Sequence, residues 1–322
     1  QLNVQQPLIN LDKKHQRNAA KLGMEAITYH KERAKEHLTF ATSQLYMQLQ
    51  FSFEVISVLK EALKTAEINQ QNAQNSYEVG YLQKADLLEI NVRISELKNK
   101  ILSAENQVSN ISDQLHTLMQ DTTYPLIIPS ERLELTKALM PMQVSEKRSD
   151  FMAMDKANMA YSEMLQSEKK TILPRLNAFA TFETNDNNPV TFNATNYLLG
   201  AQISWNIFDG RQRSAKIQRA EAQLNKGQLE KQKYKSENQS KFQKTVRMQA
   251  QALIKLNTIK LAVEQAEESL RIRSNRFEQG MEKSSDVLMA EATYSEKKLQ
   301  ELQTILEINI SNLYAQFLSS EK

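Results

Sequence analysis

The chain has 322 residues, with 41 Lys and Arg against 38 Asp and Glu, a formal charge of +3 and no cysteine. The charges are interleaved as on a solvated helix face carrying i,i+4 pairs, which leaves no basic footprint for nucleic acid. Lack of cysteine excludes disulfides, thiolate catalysis and cysteine-ligated zinc, and no run of about 18 apolar residues is present to cross a bilayer as a helix.

Leu2-Asn3-Val4-Gln5-Gln6-Pro7 reads as the tail of a strand, assigned to residues 1–9. The chain opens on Gln1 in what looks like mid-strand, without a signal peptide. A processed or N-terminally truncated product is therefore expected. No proline occurs between Pro7 and Pro125, and Lys, Glu, Gln, Ala and Leu dominate that stretch. All are good helix formers. A helix from about Asp12 to Glu78 would be roughly 100 Å long at about 1.5 Å per residue. It carries two adjacent apolar seams, Leu45, Leu49, Ile56, Leu59, Leu63 and Ala66 beside Phe51, Val55, Val58 and Ala62. One seam suits a two-stranded coiled coil, whereas two suit a helix with a neighbour on each side. The short pitch implies left-handed supercoiling.

A bend follows at Gly80, and the segment around it recurs at an offset of about 200 residues. Tyr77-Glu78-Val79-Gly80-Tyr81-Leu82-Gln83-Lys84-Ala85-Asp86-Leu87-Leu88 aligns without a gap on Phe277-Glu278-Gln279-Gly280-Met281-Glu282-Lys283-Ser284-Ser285-Asp286-Val287-Leu288. Internal duplication is the reading. Glycine is expected at both bends because the chain must take a positive φ there. Asp86 and Asp286 are expected either to cap the outgoing helices or to present carboxylates. Tyr81, Leu82 and Met281 are expected as exposed apolar groups for a partner. The first hairpin is assigned to residues 10–121.

Residues 122–144 read as a compact connector, with Pro125, Pro129 and Pro141 around Leu126, Ile127 and Ile128. Helical periodicity returns over about 145–172 and stops at Pro174. Two strands are predicted next, over Arg175–Glu183 and Asn196–Phe208, joined by a polar turn at Thr184–Pro189. In the second, Tyr197, Leu199, Ala201, Ile203, Trp205 and Ile207 share one face and Gly200, Gln202, Ser204 and Asn206 the other. Lipid on one side and water on the other requires that alternation, and a soluble hairpin packed on one face gives it too. Residues 145–208 are assigned to this helix and hairpin, and 209–322 to the second long helical hairpin. Asp209-Gly210 is the expected N-cap, and Leu256, Ile259, Val263, Ala266 and Leu270 form its seam, continued past the bend by Leu299, Leu302, Leu306, Leu313 and Phe317.

His15, His30, His37 and His116 have no metal-ligand spacing and read as surface histidines. No nucleophile elbow, P-loop or dinucleotide fingerprint is present. Neither enzyme chemistry nor a cofactor is expected.

Gln202-Ile203-Ser204-Trp205-Asn206-Ile207-Phe208-Asp209-Gly210-Arg211 resembles the strand end of the TolC family of outer-membrane efflux proteins, and Gln6-Pro7-Leu8-Ile9-Asn10 its counterpart in the first repeat. Arg148-Ser149-Asp150 and Leu173-Pro174-Arg175-Leu176 are similar to the family's upper helix entering its hairpin. The two bends resemble its periplasmic tips. The resemblance implies a mainly α fold of long antiparallel hairpins forming an α-barrel, with a small membrane β-barrel portion. It also implies a homotrimer in the outer membrane of a Gram-negative cell, a periplasmic tunnel, and partnership with an adaptor and an inner-membrane pump. In that setting Tyr197, Leu199, Ile203 and Trp205 face lipid, Gly80, Tyr81, Leu82, Gly280 and Met281 meet the adaptor, and Asp86 and Asp286 line the entrance. The acid often found three residues beyond the second is Met289 here. The upper helix and first strand of the first repeat are expected to precede Gln1, so a closed barrel is not expected from these residues alone. The function expected is a passive export duct for small molecules or polypeptides. A soluble coiled-coil scaffold or an adaptor hairpin is the alternative, though an adaptor needs a glycine-rich β-sandwich around a single hairpin.

Overall fold

A computed structural model describes residues 2–121, 123–136, 143–184 and 195–319. Pro141 and the turn expected over residues 185–189 lie outside them. The elements are β1 (Leu2–Ile9), α1 (Leu11–Glu78), α2 (Lys84–Met119), α3 (Ser149–Lys170), β2 (Arg175–Thr184), β3 (Thr195–Ser204), α4 (Gln212–Glu278) and α5 (Ser284–Ser319). The duplication is visible in their lengths: α1 and α4 have 68 and 67 residues, and α2 and α5 have 36 each. The chain forms two compact units that cut across the blocks read in chain order.

The first unit gathers residues 1–34 and 145–238. It holds one antiparallel sheet in the order β1-β2-β3. Its helices are joined largely by polar side chains. Arg148, fully buried, gives two hydrogen bonds to Asp150 (3.1 and 2.5 Å) and one to Asn238 at 3.2 Å. The Tyr234 hydroxyl donates to Asp150 at 2.9 Å, and Arg33 lies 3.4 Å from the same carboxylate. Burial pushes the Asp150 carboxyl up, but Arg148 and Arg33 outweigh it and hold the group below its ordinary range. These residues tie α1, α3 and α4 together.

The second unit gathers residues 35–144 and 239–320. The seam of α1 is buried at Leu49, Ile56, Leu59 and Ala66, and Ser52 fills its gap with a hydrogen bond to the Gln48 carbonyl. Leu59, Ala62 and Ala66 pack with Ile90, Ile94 and Leu97 of α2, and Phe277 and Val287 from the second hairpin enter the same cluster. One core thus serves both bends. On α5 the buried line keeps Leu306 of the expected seam, while Leu299, Leu302, Leu313 and Phe317 are only half-buried. The line also runs through Val287, Glu291, Ser295, Thr304, Ile308, Asn309, Asn312 and Ala315, so about half of it is polar.

The connector is fastened by side chains rather than by secondary structure. Asn309 accepts from the Thr136 backbone at 3.0 Å and donates to the Glu134 carbonyl at 2.7 Å. His116 is the exception to the surface reading. It is buried, with one ring nitrogen 2.7 Å from the Pro125 carbonyl and the other 3.0 Å from Asp121 Oδ2. The imidazole closes the turn where the connector leaves α2.

Candidate functional site

The sheet separates two chemistries. Directly opposed residues of an antiparallel pair point to the same face. The observed register sets Tyr197 against Phe182, Leu199 against Ala180, Ala201 against Ala178 and Ile203 against Leu176. On the far side of β2, Leu2 opposes Phe182, Val4 opposes Ala180 and Ile9 opposes Leu176. From the Leu2–Phe182–Tyr197 row to the Ile9–Leu176–Ile203 row this face is apolar across three strands apart from Gln6, and Leu199 at its centre is 73% exposed. The other face carries Asn3, Gln5, Asn177, Thr181, Gln202 and Ser204, with Phe179 and Leu198 among them. Among the described residues no helix is long and apolar enough to cross a membrane. An exposed apolar sheet face of this extent calls for a nonaqueous neighbour.

Sequence alternation identified Tyr197, Leu199 and Ile203 on the apolar face but missed their partners Leu176, Ala178, Ala180 and Phe182. The partial alternation of 175–183 was the available signal. The predicted strand end requires a correction: β3 ends at Ser204 rather than Phe208, which leaves Trp205 outside the ladder. The partner strand begins at Arg175, opposite Ser204, and is preceded by Pro174, which has no N–H to offer a ladder. Freed from the sheet, the Trp205 indole donates to the Ile172 carbonyl at 2.9 Å. Asp209 Oδ2 then accepts the Arg213 N–H at 3.0 Å, and Gly210 and Arg211 both take positive φ in the turn into α4.

The two bends share one backbone solution. Gly80 and Gly280 have φ of 82° and 73°. The N–H of Tyr81 bonds the Ser76 carbonyl at 2.8 Å and that of Gly80 bonds Tyr77 at 3.0 Å, and Met281 with Arg276 and Gly280 with Phe277 repeat the pattern at 2.9 Å each. This is the Schellman termination. A Cβ at either glycine would meet nothing within 4 Å, so replacement strains only the backbone. Gly80→Ala and Gly280→Ala should each cost about 1–2 kcal/mol in urea unfolding. A loss below a few tenths would show that the positive φ is not required.

The side chains at the two bends differ. Tyr81 and Met281 are exposed, at 88% and 58%. Leu82 is not. It is half-buried and packs on the core shared by both bends, because the chain turns inward to start α2. Val79, on the other side of the glycine, is also exposed, at 66%. In the place of Leu82 the second bend has Glu282, which pairs with Arg273 at 2.6 Å and Arg276 at 3.0 Å. Asp86 and Asp286 do not cap. Their backbone N–H groups bond the carbonyls of Gln83 and Lys283 at 3.1 and 3.2 Å, which places both carboxylates inside the first turn, where they complement the helix dipole. No group of acidic or His side chains able to hold a metal occurs among the described residues.

Residues 140–313 match the family described as outer membrane efflux protein. Among solved structures, the outer membrane protein VceC of Vibrio cholerae aligns with a TM-score of 0.86 at 15% identity, over 99% of this chain and 79% of that one. The CmeC outer membrane channel of Campylobacter jejuni aligns at 0.88 and 15% identity, over 99% and 71%. The open-state MtrE outer membrane channel of Neisseria gonorrhoeae aligns at 0.80 and 15% identity, over 94% and 71%. At such identity these likenesses establish the fold alone. No curated protein sequence matches the chain.

Proposed function

Since the chain belongs to the outer membrane efflux protein family, we propose that its sheet lines a pore through the outer membrane and that its helical hairpins continue the pore into the periplasm as a passive duct. The observation that carries this reading is the exposed apolar face that runs across all three strands, backed by a mainly polar one. Lipid satisfies the first, with Tyr197, Leu199 and Ile203 in contact, and water the second. Trp205 sits where the sheet gives way to helix, a depth that suits an indole with one polar bond. Strands β1 and β3 each have one neighbour among the described residues, and a bilayer tolerates no open edge. In a homotrimer further strands would take up these edges.

The bends meet the helical tips of a periplasmic adaptor that links the duct to an inner-membrane pump. Gly80 and Gly280 shape the surface and exposed Tyr81 and Met281 supply the contact, with Leu82 supporting it from the core. Asp86 and Asp286 place carboxylates at the duct entrance, where copies of the same chain would screen anions. Such a duct has no catalytic step, and choice of cargo rests with the pump.

Cells lacking the protein should lose export, and the wild-type chain should restore it. Gly280→Trp should reach the membrane and assemble yet fail to restore export. A cysteine at Met281 should form a disulfide with one at an adaptor tip, since the chain has no other cysteine. Crosslinking at Ser130 of the connector with none at Met281 would overturn the docking site.

A further inference from the structure

On the polar face of the sheet, Phe179 of β2 stands directly opposite Gly200 of β3. A Cβ built on Gly200 would lie 2.7 Å from Phe179 Cζ and 2.9 Å from Cε1. The ring is therefore folded across the neighbouring strand, over the glycine, whereas strand side chains ordinarily stand away from the sheet. Gly200 is not among the glycines with positive φ. Its backbone would accept any residue, and glycine in a regular ladder is entropically costlier than alanine. Room for the ring is what glycine supplies here.

Phe179 is the one aromatic residue on the polar face among the described residues, and it lies near the middle of β2. Resting on the reading that this face lines the pore, we propose that the Phe179–Gly200 pair sets the free bore at mid-strand. The space above Gly200 holds a ring that would otherwise project into the water path. Folded down, the ring leaves the path open and presents its apolar face to passing solute. Apolar surface in a polar lumen would bring contact with aromatic or aliphatic cargo without a polar partner that has to be displaced.

The test uses the absence of native cysteine. Gln202 lies on the polar face two residues beyond Gly200 towards α4, so a reagent entering from the side of the β2–β3 connection passes the ring before reaching it. Intact cells carrying Gln202→Cys are treated with polyethylene-glycol maleimides of graded size, and the largest polymer that labels the outer-membrane fraction is recorded. Adding Gly200→Ala should shift that limit to smaller polymers. A methyl group is too small to narrow a pore by itself, so the shift must come from the displaced ring. Phe179→Ala should raise the limit, and Phe179→Ala with Gly200→Ala should match Phe179→Ala alone. An unchanged limit in Gly200→Ala overturns the proposal, as does a shift that survives removal of the ring. If Gly200→Ala does not reach the membrane, Phe179→Ala alone decides: an unchanged limit shows that the ring serves stability only. Labelling of Gln202→Cys by a lipid-soluble maleimide but by no polar one would contradict the pore-lining face itself, a separate failure.

Discussion

Arginine at Leu199 should prevent insertion of the sheet, whereas arginine at Leu198, one residue away, should be tolerated. Both positions are exposed leucines near the middle of β3, so hydrophobicity, helix content and charge change alike in the two variants. They differ only in face. Leu199 opposes Ala180, which opposes Val4, within the apolar sheet. Leu198 opposes Thr181, which opposes Asn3, on the polar side. A cation on the lipid side near the midplane costs about 2–4 kcal/mol, a large share of the roughly 5–15 kcal/mol that keeps a domain folded. Outer-membrane fractionation and protease resistance give the readout. Equal insertion of the two variants would show that the faces are assigned wrongly.

Loss of the Arg93 side chain should destabilise the helical unit by about 3–5 kcal/mol. Glu291 on α5 is almost completely buried and accepts from Arg93 of α2 at 3.1 and 2.9 Å, with Ser295 donating a third bond at 2.7 Å. Arg93→Ala leaves that carboxylate buried with a single hydroxyl donor. Arg93→Met combined with Glu291→Leu removes both charges and fills the space, and should recover most of the loss. The pair joins the two hairpins, and the duplication does not repeat it. Urea unfolding of the single and double variants measures it. A single variant within 1 kcal/mol of wild type, or a double variant no better than the single, would contradict this account.

The elements whose partners lie near them in sequence were the legible ones. The bends could be read because Gly80 and Gly280 solve a backbone problem within about six residues, and the repeat exposes the same solution twice. The apolar face of β3 could be read because alternation with a period of two is local. The end of that strand could not, because Trp205 and Ile207 keep the alternation while the partner strand stops at Pro174, thirty residues upstream. The seam of α5 was obscured for another reason. Apolar periodicity cannot see a buried line that includes Glu291, Asn309 and Asn312, each bonded to residues far along the chain. His116 hides in the same way, since only the turn back to Pro125 shows that its ring is enclosed. Arg148 and Asp150 lie two residues apart in sequence, but Asn238 and Tyr234, which complete their network, are far along the chain.

The central claim is that β3 stands with one face in lipid and the other in water. Single cysteines from Asn196 to Ser204, each spin-labelled in the assembled protein in lipid vesicles, test it most directly. Oxygen partitions into lipid and a charged nickel chelate into water, so relaxation by each reports the surroundings of every position. Positions 197, 199, 201 and 203 should respond to oxygen, and 196, 198, 202 and 204 to the chelate, in strict alternation. Uniform response to the chelate along the strand would mean that no lipid touches it, and the reading of the sheet as a membrane pore would fail.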